Sequence, residues 1–162
     1  MTKVAVGFML NGREQDEFID SGSTLLSVLR QKLGLYSTKA GCHQGSCGAC
    51  TVIIDGEPRL SCLTLAERCQ GKTVTTLEGL TRDAALHPLQ QAFMEGFAAQ
   101  CGFCTPGMII AAKALIDRNP DPSRDDVIDA ISGNICRCTG YEPIIEAILT
   151  AAGHMRARKK SA

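Results

Sequence analysis

The segment Gly41-Cys-His-Gln-Gly-Ser-Cys-Gly-Ala-Cys50 places three cysteines and three glycines within ten residues. Its spacing, Cys42-x4-Cys47-x2-Cys50, is that of a plant-type [2Fe–2S] site. A cluster held by four thiolates carries a net charge of about −2, so backbone N–H groups must turn toward its sulfur atoms, and glycines leave room for that approach. The segment therefore predicts a loop wrapped around a cluster. The expected fourth ligand is Cys62, which a turn at Asp55-Gly56 would bring back to the loop.

A second set of four cysteines lies in the other half of the chain, as Cys101-x2-Cys104 and Cys136-x-Cys138. Pro106 and Pro143 follow the two pairs, and proline is favoured in the first turn of a helix. Two helix N-termini would then converge on one site, where free N–H groups and positive dipole ends offset thiolate charge. This set predicts a second [2Fe–2S] cluster. The ninth cysteine, Cys69, has no partner at ligand spacing, and we expect a small buried thiol.

Composition narrows the class of protein. The 162 residues include 17 basic and 17 acidic side chains, with 44% hydrophobic residues, which is typical of a soluble globular chain. A net charge of zero offers no attraction for nucleic acid. No apolar run approaches the roughly 20 residues that cross a bilayer, and no signal-peptide h-region is evident. The odd number of cysteines argues against a disulfide framework, so we expect a cytoplasmic location with reduced thiols.

The first half has the pattern of a small sheet. Alternation over residues 3–10 and 13–20 around Asn11-Gly12 predicts a β-hairpin. Ser23 or Thr24 can cap a helix that runs to Leu33, with Gly34 after its end. A second hairpin, a short helix and a last strand are predicted at residues 51–61, 63–68 and 72–76. This order of elements indicates an α+β fold.

The second half has a helical period. Prolines at the first turn and a capping signature at Ser123-x-x-Asp126 predict four helices, at residues 89–99, 107–118, 124–131 and 144–152. The period changes near residues 79–87. We therefore expect a ferredoxin-like domain at 1–80, a helical domain at 81–155 and a basic tail at 156–162. Each half is of a size at which a core alone is marginal and a metal site adds stability.

Other metal sites match these patterns less well. A zinc ribbon has two C-x2-C pairs about 15–20 residues apart, whereas fifty residues separate Cys50 from Cys101. A Rieske centre needs two histidine ligands, and the three histidines are scattered. A thiolate–zinc interaction scaffold is thus the weaker alternative. A freely diffusing two-cluster ferredoxin with an acidic docking face also stays open.

Three strings, at residues 41–50, 100–108 and 133–141, closely resemble the iron–sulfur subunit of the xanthine oxidase family of molybdenum hydroxylases. The last two read Gln100-Cys-Gly-Phe-Cys-Thr-Pro-Gly-Met108 and Gly133-Asn-Ile-Cys-Arg-Cys-Thr-Gly-Tyr141. The resemblance covers about residues 4–152. It implies an N-terminal ferredoxin-like β-grasp domain followed by a C-terminal four-helix bundle.

The resemblance also implies a function within an oxidoreductase complex. Such a subunit relays single electrons from a molybdopterin centre on a large subunit, through two [2Fe–2S] clusters, to FAD on a medium subunit, within a dimer of heterotrimers. It implies that the helical-domain cluster lies near the pterin and the other cluster toward the flavin. Gln100 and Cys138 correspond to positions that approach the pterin. No substrate turnover is expected from this chain alone, and no residue indicates the substrate of the complex.

Overall fold

The computed structural model of the protein describes residues 2–81 and 85–160. Within these ranges the chain forms a five-stranded mixed sheet followed by helices, which confirms the predicted α+β class. The strands are β1 Lys3–Leu10, β2 Arg13–Asp20, β3 Thr51–Ile54, β4 Glu57–Leu60 and β5 Thr73–Thr75. The α-helices are α1 Leu25–Ser27, α2 Pro88–Glu95, α3 Thr105–Arg118, α4 Arg124–Ile131 and α5 Glu142–Lys160. A π-helical turn, Val28–Lys32, continues α1, and 3₁₀ turns occur at Ala66–Cys69 and Leu77–Leu80.

The strand order in the sheet is β2-β1-β5-β3-β4. Both predicted hairpins are confirmed, with β1 antiparallel to β2 and β3 antiparallel to β4. The turn between β1 and β2 holds Asn11 at φ 52° and Gly12 at φ 81°, as a type I′ hairpin requires. The third pairing is parallel, between β1 and β5, and it places Leu10 beside Val74. β5 also pairs antiparallel with β3, with Ile54 beside Val74, so β5 joins the two hairpins into one sheet.

The first helix covers one face of that sheet. Thr24 caps it by accepting a hydrogen bond from the Ser27 N–H at 3.2 Å, as the sequence predicted. Leu25 of α1 and Leu29 of the π-helical turn are fully buried against residues of β1, β3 and β5. Because the helix is fixed in this way, the cysteine-containing loop that follows starts from a rigid position.

Four helices follow in the second half of the described chain, at the places that the sequence predicted; α4 has the predicted bounds and α3 the predicted end, whereas α2 and α5 end elsewhere. The second helix stops at Glu95 rather than residue 99, because Gly96 and Phe97 leave the helical path and Phe97 has φ 51°. The last helix runs to Lys160 rather than Ala152, so residues 156–160 of the predicted basic tail are helical. Residues 161–162, and residues 82–84 within the predicted domain boundary, lie outside the described ranges.

The two halves of the chain share a packed interface. Most residues of α3 between Gly107 and Ile116 are buried, and the helix contacts β3 and β4 as well as α2, α4 and α5. Ile53 of β3 belongs to the same apolar cluster as Met108 of α3. In the described ranges, no helix is both long enough and apolar enough to span a membrane.

Glu78 ties the cysteine-containing loop to the chain that leaves the sheet. Its carboxylate accepts hydrogen bonds from the Ser37 N–H at 3.0 Å and from the Thr76 hydroxyl at 2.6 Å. Burial alone would raise the pKa of Glu78, but the bonds from Ser37 and Thr76 outweigh burial and lower it. The side chain is therefore a charged acceptor at neutral pH.

We expect Glu78→Gln to destabilise the protein by about 1–3 kcal/mol, because the amide cannot accept the same donors at both of its atoms. For a chain of this size that cost lowers the melting temperature by about 2–4 °C per kcal/mol. The measurement is anaerobic thermal unfolding of the purified protein. Glu14→Gln, at an exposed site on β2, serves as the control, and equal melting temperatures for the two variants would contradict the role of Glu78.

Candidate metal centres

The first four-cysteine group forms where the loop before β3 meets the end of the second hairpin. Cys50 is buried immediately before β3, and Cys62 is buried just after β4. Both the N–H and the hydroxyl of Ser61 donate to the Cys50 carbonyl, at 3.2 and 2.8 Å. The hairpin thus returns Cys62 to the loop, as the Asp55-Gly56 turn predicted.

The sulfur atoms of this group interact in two pairs, Cys42 with Cys47 and Cys50 with Cys62. A backbone N–H of Gln44 faces Cys42 Sγ at 3.5 Å, and this bond, with the Ser46 hydroxyl, lowers the pKa of Cys42 to about 6. Burial, together with the neighbouring Cys50 sulfur, raises the pKa of Cys62 to about 11. Cys42 therefore favours the thiolate form at neutral pH. The buried Cys62 needs a positively charged partner to ionise at that pH.

Close approach explains the glycine that begins the loop. A Cβ atom added at Gly41 would lie 2.8 Å from Cys47 Sγ and 3.4 Å from the Phe103 ring. Any side chain there would displace the sulfur atom. Phe103 belongs to the second cysteine motif, so this contact already shows that the two motifs are neighbours.

The second group forms around the N-terminus of α3 and the loop between α4 and α5. Cys104 is the N-cap residue of α3, and its sulfur interacts with that of Cys136, while Cys101 Sγ and Cys138 Sγ lie 3.6 Å apart. Burial and the Cys136 sulfur raise the pKa of Cys104 to about 12. The group thus brings together all four cysteines that the sequence singled out in this half.

Cys136 receives donors from its own loop. The Thr139 hydroxyl lies 3.2 Å from Cys136 Sγ, and the Thr139 N–H donates to the same sulfur at 3.4 Å. Burial opposes ionisation, but these bonds outweigh it and lower the pKa of Cys136. The Cys136 N–H in turn donates to the Tyr141 hydroxyl at 2.9 Å, which fixes the loop before α5 begins.

The donor set fits a [2Fe–2S] cluster in each group. Each group presents two pairs of sulfur atoms, as two iron ions with two thiolates each require. The 3.6 Å separation of Cys101 and Cys138 is close to the roughly 3.8 Å between two sulfur ligands of a tetrahedral ion at about 2.3 Å. In residues 2–81 and 85–160, no three His, Cys, Asp or Glu side chains converge on a single-ion position.

An orphaned hydroxyl beside the second group supports the same fit. Thr105 Oγ1 is buried and has no hydrogen-bond partner, although an unpaired buried polar group costs about 1–3 kcal/mol. It directly follows Cys104 in the first turn of α3. A bound group with acceptor atoms at this place would satisfy it.

The two groups are joined by hydrogen bonds between their loops. The Ile135 N–H donates to the Cys47 carbonyl at 2.9 Å, and Asn134 Nδ2 donates to the Gly48 carbonyl at 2.9 Å. Asn134 is only 5% exposed, and the Thr51 hydroxyl donates to the same Gly48 carbonyl at 2.6 Å. Residues next to ligand candidates of one group thus bond to the loop of the other.

The contact made by the hydrogen bonds from Ile135 and Asn134 to the Cys47 and Gly48 carbonyls, called the joint below, is tightly packed. A Cβ atom at Gly48 would lie 2.4 Å from the Gly133 carbonyl oxygen, and one at Gly107 would lie 2.5 Å from the Gly48 carbonyl oxygen. The sequence reasoning identified neither Asn134 nor Gly107 as important. Their only local signal is that each lies within a cysteine-containing motif.

The remaining candidates have clear positions. Gln100 Nε2 donates to the Cys138 carbonyl at 3.0 Å, and both residues are exposed, so the structure places this predicted pair side by side. Cys69 is fully buried away from both groups, which confirms the expected buried thiol. His87 Nδ1 accepts from the Leu89 N–H at 3.2 Å and caps α2.

Sequence comparisons assign both halves. The family described as "2Fe-2S iron-sulfur cluster binding domain" matches residues 8–77, and "[2Fe-2S] binding domain" matches residues 76–149. The nicotinate dehydrogenase small FeS subunit of Eubacterium barkeri is 47% identical over 91% of this chain and 94% of its own length. The aldehyde oxidoreductase of Megalodesulfovibrio gigas is 48% identical over 93% of this chain, which spans only 17% of that protein.

A solved structure agrees with these matches. Quinoline 2-oxidoreductase from Pseudomonas putida 86 contains a chain that is 44% identical, with a TM-score of 0.92 over 96% of this chain and 97% of that one. Fold and comparisons thus define a protein with two [2Fe–2S]-binding domains that serves in an oxidoreductase. The chain belongs to the iron–sulfur subunits of the xanthine oxidase family of molybdenum hydroxylases, as its cysteine motifs predicted. The thiolate–zinc alternative is left without support.

We expect Gly107→Ala to destabilise the protein by about 1–3 kcal/mol, because the new methyl group would overpack the joint against the Gly48 carbonyl. Gly153→Ala is the matched control, since Gly153 also lies in a helix but a Cβ atom there meets nothing within 4 Å. That substitution should stabilise the helix by up to about 1 kcal/mol. Thermal unfolding measures both variants, and a similar gain in both would show that the joint is loosely packed.

Proposed function

We propose that this chain is the electron-transfer subunit of a cytoplasmic molybdenum hydroxylase. It relays single electrons from a molybdopterin centre on a large subunit to FAD on a medium subunit. Each [2Fe–2S] cluster, when bound, accepts and releases one electron. The observation that carries the proposal is the 2.9 Å hydrogen bond from the Ile135 N–H to the Cys47 carbonyl, because it links the two cysteine groups directly.

Eight cysteines are the proposed ligands. In the β-grasp domain at residues 1–80 the ligands are Cys42, Cys47, Cys50 and Cys62. In the helical domain at residues 81–155, which we interpret as a four-helix bundle, they are Cys101, Cys104, Cys136 and Cys138. The pairing of the sulfur atoms and the backbone donors near Cys42 and Cys136 support this assignment.

The hydrogen-bonded joint supports a relay between the groups. A connected path leads from Cys47 Sγ through its own carbonyl, across the bond to the Ile135 N–H, and along the chain to Cys136. Electron tunnelling weakens exponentially with distance and less steeply along bonds than through empty space. A short bonded path between ligands therefore favours transfer inside this chain.

Exposed groups support docking to partner subunits at both ends. Cys101 and Cys138 are exposed beside Gln100, and we propose that Gln100 and Cys138 approach the pterin. Phe97 is 85% exposed a few residues away along the chain, as apolar side chains are before an interface forms. The exposed loop at residues 43–46 would face the flavin-bearing subunit, in a dimer of heterotrimers.

Anaerobic purification from the source cell tests this proposal. We expect about four iron and four acid-labile sulfide per chain, and two distinct paramagnetic signals after reduction with dithionite. Two larger chains should copurify, one with molybdopterin and the other with FAD. A solitary monomer that carries both clusters would identify a free ferredoxin instead, and zinc without sulfide would identify a thiolate–zinc scaffold.

Cys104→Ala tests the ligand assignment. It should remove the helical-domain cluster, because one iron would lose a ligand, and lower the iron content from about four to about two per chain. Electron paramagnetic resonance should still show the N-terminal cluster. Cys69→Ala is the matched control, since Cys69 is buried outside both groups, and it should keep both signals. Loss of only the N-terminal signal in Cys104→Ala would contradict the pairing of ligands.

A further inference from the structure

Thr105 presents a hydroxyl group that the chain itself does not satisfy. Across residues 2–81 and 85–160, Thr105 Oγ1 is the only buried side-chain nitrogen or oxygen atom without a hydrogen-bond partner. Buried polar groups are almost always paired, and an exception calls for a specific explanation. The hydroxyl cannot turn to bulk water, because the oxygen atom is buried.

Neighbouring threonines show that the fold otherwise pairs such groups. The Thr51 hydroxyl donates to the Gly48 carbonyl, and the Thr139 hydroxyl contacts Cys136 Sγ. Each lies next to a cysteine group and each has a protein partner. Thr105 lies as close in sequence to the second group, directly after Cys104, yet it has none. Its hydroxyl is therefore available to a group that the protein binds at this place.

We infer that the Thr105 hydroxyl donates a hydrogen bond to a sulfur atom of the cluster held by the helical-domain cysteines, and that this bond raises the reduction potential of that cluster. The inference rests on the proposed ligand assignment of Cys101, Cys104, Cys136 and Cys138. Reduction adds a negative charge to the cluster. A hydrogen bond to a charged acceptor strengthens as that charge grows, so the donor stabilises the reduced form more than the oxidised form.

Redox titration of the intact complex, followed by electron paramagnetic resonance, tests the inference. Thr105→Val keeps the branched shape but lacks the donor, and Thr105→Ser keeps the donor. In Thr105→Val the equilibrium constant for reduction of the helical-domain cluster should fall about tenfold, a shift of about 59 mV to lower potential for a one-electron couple. Thr105→Ser should retain the original potential, and the N-terminal cluster should keep its potential in every variant.

Partial loss of the cluster does not obscure the measurement, because a midpoint potential is obtained from the loaded fraction alone. Thr105→Ala, which also lacks the donor, provides a second variant if valine disturbs loading. An unchanged potential in both variants, or an equal shift of both clusters, would overturn the inference while the complex and its two clusters persist. Absence of the second cluster from the unaltered complex would instead overturn the proposed function.

Discussion

Two backbone carbonyls, those of Cys47 and Gly48, hold the structure together at its centre. They accept hydrogen bonds from Ile135 and Asn134, which lie more than eighty residues further along the chain. A Cβ atom at Gly48 would lie 2.4 Å from the Gly133 carbonyl oxygen and one at Gly107 would lie 2.5 Å from the Gly48 carbonyl oxygen, so a side chain at either position would crowd this contact. The sheet half and the helical half therefore meet through one backbone–backbone bond and one bond from the Asn134 side chain, and the position of each cysteine group depends on this contact.

Thiolate charge imposes the second constraint. The chain has a formal net charge of zero. The atoms that approach the sulfurs are backbone N–H groups and hydroxyls, such as those of Gln44 and Thr139. Burial holds the pKa of Cys62 and Cys104 well above that of a free thiol. A thiolate at either position needs a bound cation to offset its burial, so metal binding and folding of the loops would be coupled.

Local chemistry explains which elements the sequence predicts well. Asn11-Gly12 and Asp55-Gly56 specify their hairpins through left-handed backbone conformations, and Thr24 and Ser123 cap their helices as expected. The predicted end of α5 at residue 152 was wrong, because Gly153 alone does not stop a helix whose later residues are good helix formers. The joint at Gly48 and the burial of Thr105 Oγ1 were not predictable, because both depend on contacts between distant parts of the chain.

The joint lies in a region that relatives of different chain organisation share with this chain. Relatives keep similar identity whether the matching region is nearly a whole subunit, at 94% of its length, or only 17% of a longer chain. Hydrogen bonds from Ile135 and Asn134 to the loop of the first group, together with the close approach of Gly41 to Phe103, hold the two cysteine groups next to each other. The separation of the two groups is therefore set by contacts inside the chain itself.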